Sequence, residues 1–178
     1  MAGRRRLPPQ LKHYVVEGPQ MKFLDMLRRV YYLEGLGGLL VFVNDGRRVD
    51  IVVGKLLDAG LVAAPLKGDS EKGDRQEIMR RLRAGTLGER PLLVATEVAA
   101  RGLDIPNLTH VINMDLPTDA EHYVHRAGRT ARAGRPGACI SLCEPRMGFV
   151  LDKIGRKLGI EFEPASIVGG KLVTEGEE

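Results

Sequence analysis

The chain has 178 residues, 43% hydrophobic and 28% charged, a balance that buries one core and makes a single domain the expectation. Its longest apolar run, Leu39 to Val43, falls far short of the roughly 18 residues of a membrane-spanning helix. Cys139 and Cys143 stand without a second pair, which excludes a disulfide framework or a zinc ribbon and points to a reduced, intracellular setting. Lysine and arginine number 27 against 23 acidic residues. From Glu161 onward the chain holds five glutamates and one lysine, so the body before it carries 26 basic against 18 acidic residues. A basic body of this kind suits a polyanionic partner.

Short β-rich runs alternate with segments of helical period, the pattern of a parallel sheet covered by helices. Leu11 to Val16 reads as the first strand. Pro19 then opens a helix whose Phe23, Leu24, Leu27, Val30 and Tyr31 share a face, and the run Gly35 to Gly38 ends it. After a strand at Leu39 to Val43, Asn44 or Asp45 caps a helix carrying Val49, Val52, Val53, Leu56 and Leu57. That helix stops at Gly60, before a strand at Leu61 to Leu66. A helix from about Asp74 buries Ile78, Met79 and Leu82 and closes at Gly85; Leu92 to Ala95 follows as a strand. Beyond Thr96 come a loop with a helical turn, a strand at Thr109 to Asn113, a helix from about Thr118 and a strand at Ala138 to Cys143. A last amphipathic helix after Pro145 sets Phe149, Val150, Ile154 and Leu158 on one core-packing stripe. The sum is an open α/β sheet of five or six strands, whose working edge is the set of loops after Val43, Leu66, Ala95 and Asn113.

No glycine-rich loop ends in Gly-Lys-Ser/Thr, since Gly54-Lys55 and Gly170-Lys171 are each followed by leucine. No Gly-x-Ser-x-Gly, His-Glu-x-x-His or Gly-x-Gly-x-x-Gly occurs, so a complete catalytic site cannot be assembled from this chain. His122 and His125 have a spacing usable for a metal on a helix, but no third ligand is recognisable and no metal is expected. The most informative stretch is Tyr123 to Arg135, where Arg126, Arg129, Arg132 and Arg135 recur every three residues among Gly128, Ala131, Ala133 and Gly134. The glycines end the helix and throw the later arginines onto a loop. Guanidiniums fixed on a tight loop suit phosphate recognition, because each offers a bidentate fork that lysine cannot match.

The run His125-Arg126-Ala127-Gly128-Arg129-Thr130-Ala131-Arg132 resembles motif VI of the DEAD-box RNA helicases, usually His-Arg-Ile-Gly-Arg-Thr-Gly-Arg. Ala95 to Pro106 resembles motif V, Val111 to Pro117 the Val-Ile-Asn-Tyr-Asp-Leu-Pro segment after it, and Leu40 to Asn44 motif IV. Gly68-Asp69, Arg75 and Arg83-Ala84-Gly85 are similar to three further family landmarks, so the likeness covers roughly residues 10 to 145. The segment 116–123 and the ending from Lys157 resemble plastid DEAD-box helicases of plants and algae more particularly.

The resemblance implies a RecA-like three-layer α/β/α sandwich, the second of two such domains in an ATP-dependent RNA helicase. It divides the chain into a basic, disordered leader at 1–9, the helicase C-terminal domain at 10–160 and an acidic tail at 161–178. The phosphate loop and the Mg ligands are then expected on an N-terminal RecA-like domain in cis, so this chain alone is not expected to hydrolyse ATP. Arg129 and Arg132 become arginine fingers on the γ-phosphate. Asp104 becomes a ribose ligand, and His125, Arg126 and Gly128 couple the nucleotide to the companion domain. Gly68, Asp69, Arg75, Thr96, Arg101 and Gly102 take the family's RNA-backbone positions, which implies sequence-independent binding by a monomer without a membrane.

Four departures stand out: Lys67 for His, Lys72 for Gln, Glu97 for the motif V Asp and Asp45 for the motif IV Thr. Ala131 for Gly is expected to stiffen the loop carrying Arg132, and Asp45 to repel RNA. The alternative reading is a non-catalytic module that holds RNA or a protein. Retention of Arg129, Arg132 and Asp104 speaks against it.

Overall fold

A computed structural model describes residues 7–67 and 72–175, with side chains described from Arg75 onward in the second span. The expected RNA contacts Gly68 and Asp69 lie outside the described residues, as does most of the expected leader. The strands are β1 (Leu11–Glu17), β2 (Gly38–Phe42), β3 (Ala64–Leu66), β4 (Leu92–Ala95), β5 (Leu108–Asn113), β6 (Gly137–Cys143), β7 (Glu163–Val168) and β8 (Lys171–Thr174). The helices are α1 (Phe23–Tyr31), α2 (Gly46–Asp58), α3 (Lys72–Ala84), α4 (Glu97–Ala100), α5 (Ala120–Ala127) and α6 (Gly148–Leu158).

These strands form one sheet in the order β3-β4-β2-β5-β6-β1-β7-β8, parallel throughout except for the final β7–β8 hairpin. Strand β2 shows why both faces are covered. Its Leu39 and Val41 pack with α1 and α2 through Leu27, Val30, Val52 and Leu56, while Leu40 and Phe42 pack with α3 and α5 through Ile78, Leu82 and Tyr123. Alternate side chains thus enter opposite layers, and the strand is buried along its whole length. The result is the expected RecA-like three-layer sandwich.

Among the described residues the expected five or six strands become eight. Residues 163–168 and 171–174 supply the extra two, turning at Gly169-Gly170 and adding to the far side of β1 through Tyr14–Glu163 and Val15–Pro164. Only Ile167 is buried along β7, so the period-2 signal there is too thin to read. The strand expected from Leu61 shortens to Ala64–Leu66, an edge strand in which Pro65 is tolerated. Phe149 is not on the core stripe of α6: it is 64% exposed, and Leu151 is buried with Ile154 in its place. Leu57 likewise faces outward on α2.

Two histidines are packed as neutral groups. His13 Nδ1 meets the Tyr123 hydroxyl at 2.6 Å, and His110 Nδ1 meets the Thr109 hydroxyl at 2.7 Å. Burial pulls both pKa values down to about 4. In the unfolded chain each imidazole protonates near 6.5, so between these values the unfolded state binds more protons. The contribution is therefore fully present above about pH 6.5, declines as pH falls through that window and levels off near 4. Each site contributes on the order of 1–3 kcal/mol. Thermal unfolding between pH 7 and pH 5 checks this: the wild-type midpoint drops, and the double variant His13→Asn, His110→Asn shows a shallower drop. An equal drop in both proteins contradicts the assignment.

Candidate functional site

The carboxyl ends of the central strands converge. Phe42 ends β2 and leads to Asn44; Ala95 ends β4 and leads to Thr96 and Glu97; Asn113 ends β5 and leads to Asp115. Helix α5 lies across these loops, started by Asp119, whose carboxylate accepts from the His122 N–H, and stopped at Gly128. Gly128 has to be glycine, since a Cβ there would stand 2.9 Å from the Val124 carbonyl oxygen.

Arg126 is the centre of this convergence. It is 4% exposed and stacks over the Phe42 ring at 5.5 Å. Its Nε donates to Glu97 Oε1 at 3.2 Å, its Nη1 to Asn113 Oδ1 at 3.3 Å and to the Asp115 carbonyl at 2.7 Å, and its Nη2 to Asn44 Oδ1. Four of its five N–H groups are thereby engaged within this domain. Within this domain Arg126 is a buried guanidinium that ties together the loops after β2, β4 and β5. Asp115, beneath it, accepts the Asn44 N–H at 2.8 Å and both arms of Arg48 at 2.8 Å. Neither Arg48 nor the Asp115 carboxylate stands out in the sequence; an ordered landmark with Asn and Asp two apart was the only signal.

Glu97 faces Arg126 with one carboxylate oxygen and two histidines with the other. His122 Nδ1 lies 2.6 Å and His125 Nδ1 3.3 Å from Glu97 Oε2. Burial pushes the Glu97 carboxyl up, but hydrogen bonds with His122 and Arg126 outweigh it and hold the group below the usual carboxylate range. The same hydrogen bond raises His122. One Glu97 carboxylate thus meets three side chains, His122, His125 and Arg126, on the same face of α5. That carboxylate is also the third ligand-bearing group beside His122 and His125 that spacing alone did not reveal.

The turn after α4 brings the expected phosphate and RNA residues together. Arg75 Nη2 donates to the Arg101 carbonyl at 3.0 Å, and Arg129 Nη1 points to the Leu103 carbonyl at 3.4 Å. Two arginines from distant segments thus hold the backbone of residues 101–103 from either side, with Gly102 at φ +74° between them. Thr96 caps α4 by accepting the Ala99 N–H. Arg101, Gly102 and Asp104 are exposed, and Arg101 lines a concave pocket of about 360 Å³ with Phe42, Glu97, His125 and Arg129. Arg132 reaches Asp104 at 3.6 Å, so the expected second finger and the expected ribose ligand are neighbours at this edge.

The loop carrying Arg132 is strained. Ala131 and Ala133 have φ of 58° and 57°, a left-handed conformation that costs a residue with a Cβ about 1–2 kcal/mol. Ala131 therefore stands where the family's glycine would be relaxed. Buried Thr130 anchors the turn by donating to the Leu108 carbonyl, and Gln10 donates to the Ala131 carbonyl at 3.1 Å. Asp45 does not present a bare negative charge: it caps α2 by accepting the Arg47 N–H and pairs with the Arg47 guanidinium at 2.9 Å. Lys67 pairs with Asp50 at 2.7 Å.

Residues 23–134 match the family described as the helicase conserved C-terminal domain. A DEAD-box ATP-dependent RNA helicase of Bacillus cereus, CshC, is 38% identical over 149 residues, 84% of this chain and 37% of that protein. The chain thus spans well under half the length of such curated relatives. Among solved structures, Escherichia coli SrmB, a DEAD-box protein bound to the regulator of ribonuclease activity A, superposes with a TM-score of 0.80 at 35% identity. That match covers 88% of this chain and 91% of that one. Saccharomyces cerevisiae Dbp5 bound to RNA and ADP BeF3 superposes with a TM-score of 0.79 at 31% identity, over 88% of this chain and 42% of that one. Among the described residues no helix is long and apolar enough to cross a membrane. With motif order, sheet order and sequence all in agreement, the chain belongs to the helicase conserved C-terminal domain family and is the C-terminal RecA-like domain of a DEAD-box helicase.

Proposed function

We propose that this domain is the half of an ATP-dependent RNA helicase that brings Arg129 and Arg132 to the γ-phosphate and grips single-stranded RNA by its backbone. ATP and Mg are bound chiefly by an N-terminal RecA-like domain in cis, with Asp104 on the ribose, and His125 and Gly128 face the shared cleft of a monomeric, intracellular protein. The observation that carries this reading is the double hold on residues 101–103. Arg129, on the nucleotide side, and Arg75, on the RNA side, grasp the carbonyls of Leu103 and Arg101, two residues apart in one turn. A shift of Arg129 toward phosphate therefore moves the segment holding Arg101 and Gly102, which links hydrolysis to the grip on RNA.

Arginine, hydroxyl and backbone N–H groups at Arg75, Arg101, Thr96 and Gly102 suit phosphate and sugar contacts, with no base-reading element among them. Replacing Arg75 by alanine is expected to weaken binding of single-stranded RNAs of different sequence by similar factors. It is also expected to lower the slope of log K against log salt by about one phosphate contact. Fluorescence anisotropy over a salt series measures both. A loss confined to one RNA sequence overturns the backbone-grip reading, and unchanged affinity for every RNA favours a protein-binding module.

A further inference from the structure

We infer that Glu97, His122 and His125 form a binding site for a single borderline transition-metal cation of the Zn²⁺ class. The three residues come from two elements. His122 and His125 are one turn apart on α5, so both imidazoles project from one side of the helix. Glu97 begins α4 and brings its Oε2 between them, 2.6 Å from His122 Nδ1 and 3.3 Å from His125 Nδ1. The ligand atoms all lie within 4.8 Å of one another, so closing on a common ion at about 2.0–2.2 Å takes only small side-chain rotations.

The surroundings fit a metal site in three respects. Arg126, held by Asn44, Asn113 and Asp115, fixes the other Glu97 oxygen at 3.2 Å, which orients the carboxylate as outer-shell partners do in metal proteins. His122 is 45% and His125 28% exposed at the side chain, beside a pocket of about 360 Å³, so an ion can enter and keep an open coordination position for water or an anion. Asp119 and Glu121 lie 4.0 Å from the outer nitrogens of His122 and His125 and offset the Arg126 charge. Two imidazoles with one carboxylate suit Zn²⁺, Co²⁺ or Ni²⁺; Mg²⁺ prefers an all-oxygen shell. A bound ion would pin α4 to α5 and hold His125 away from other partners.

Isothermal titration of the untagged 178-residue chain with Zn²⁺, and with Co²⁺ followed by visible absorption, tests the site. The expected result is one equivalent bound, with a rise in the thermal midpoint that grows with Zn²⁺ concentration. His122→Gln, at an exposed position that leaves the Arg126 network intact, is expected to weaken binding at least tenfold. Glu97→Gln should do the same. No stoichiometric binding, or binding unchanged in His122→Gln, overturns the site. Full retention in Glu97→Gln also overturns it, since the ion would then be held by α5 alone.

Discussion

On the proposed function, replacing Arg129 by alanine in a two-domain protein that carries this domain is expected to lower RNA-stimulated ATP turnover by a factor of about 10³ to 10⁵, the range for a guanidinium that stabilises a transferring phosphoryl group. RNA affinity should change little, because the proposed backbone contacts fall to Arg75, Arg101 and Gly102. The geometry supports this division. Arg129 sits just past the α5 terminus set by Gly128, lines the pocket beside His125 and donates to the Leu103 carbonyl, so backbone contacts place its head at that edge. Arg129→Lys keeps the charge but loses the planar fork, and it should recover only a small part of the turnover. Single-turnover hydrolysis with saturating RNA makes the comparison. Turnover within tenfold of wild type in Arg129→Ala sinks the finger assignment, and a parallel collapse of RNA affinity would show that the residue serves mainly to hold the 101–103 turn.

The second large effect is on stability. Arg126→Met retains much of the aliphatic bulk but removes the cation that Glu97, Asn44, Asn113 and the Asp115 carbonyl all address. The change takes the donor from Asn44, Asn113 and the Asp115 carbonyl and leaves Glu97 with only His122 and His125; breaking such a buried network on one side costs about 3–5 kcal/mol. Against a total stability on the order of 5–15 kcal/mol, that is enough to leave a sizeable unfolded fraction in mild denaturant. Urea unfolding of the 178-residue chain followed by far-ultraviolet circular dichroism reads it out. A midpoint that stays put would mean that the network is ornamental to the fold and that Arg126 is reserved for the companion domain. The double variant Arg126→Met, Glu97→Gln should be less destabilised than the sum of its parts, because the two sites share one interaction.

Among the described residues, six of the eight strands and every long helix were legible because their signals are local. Leu39 to Phe42 is an unbroken apolar run because both faces are covered, and Asp45 before Arg47 is a capping signal complete within three residues. The loops at the carboxyl ends were legible as the working edge for the same reason, and so was the break of α5 at Gly128. What failed were features without a local period. Phe149 matches the spacing of the α6 stripe, yet it is 64% exposed, while Leu151 and Ile154 are the buried positions of that helix. Strand β7 buries only Ile167, so its place beside β1 depends on pairing with residues about 150 positions earlier. The arginine signature of motif VI was visible, but not that Arg126 is buried among Asn44, Glu97, Asn113 and Asp115 while Arg132 stays exposed.

The sequence by itself thus determined the fold class, the order of the motifs and the residue types at the working edge, because each rests on side chains a few positions apart. Only the tertiary structure decided that Asn44 and Arg126, 82 positions apart, share a hydrogen bond, and that Glu97 meets His122 and His125 across 25 and 28 positions. It also decided that Arg75 and Arg129 hold the same turn. The physical reason is that such convergence is set by strand order. The sheet places β4, β2 and β5 side by side, so the residues just beyond their carboxyl ends become neighbours whatever their separation along the chain.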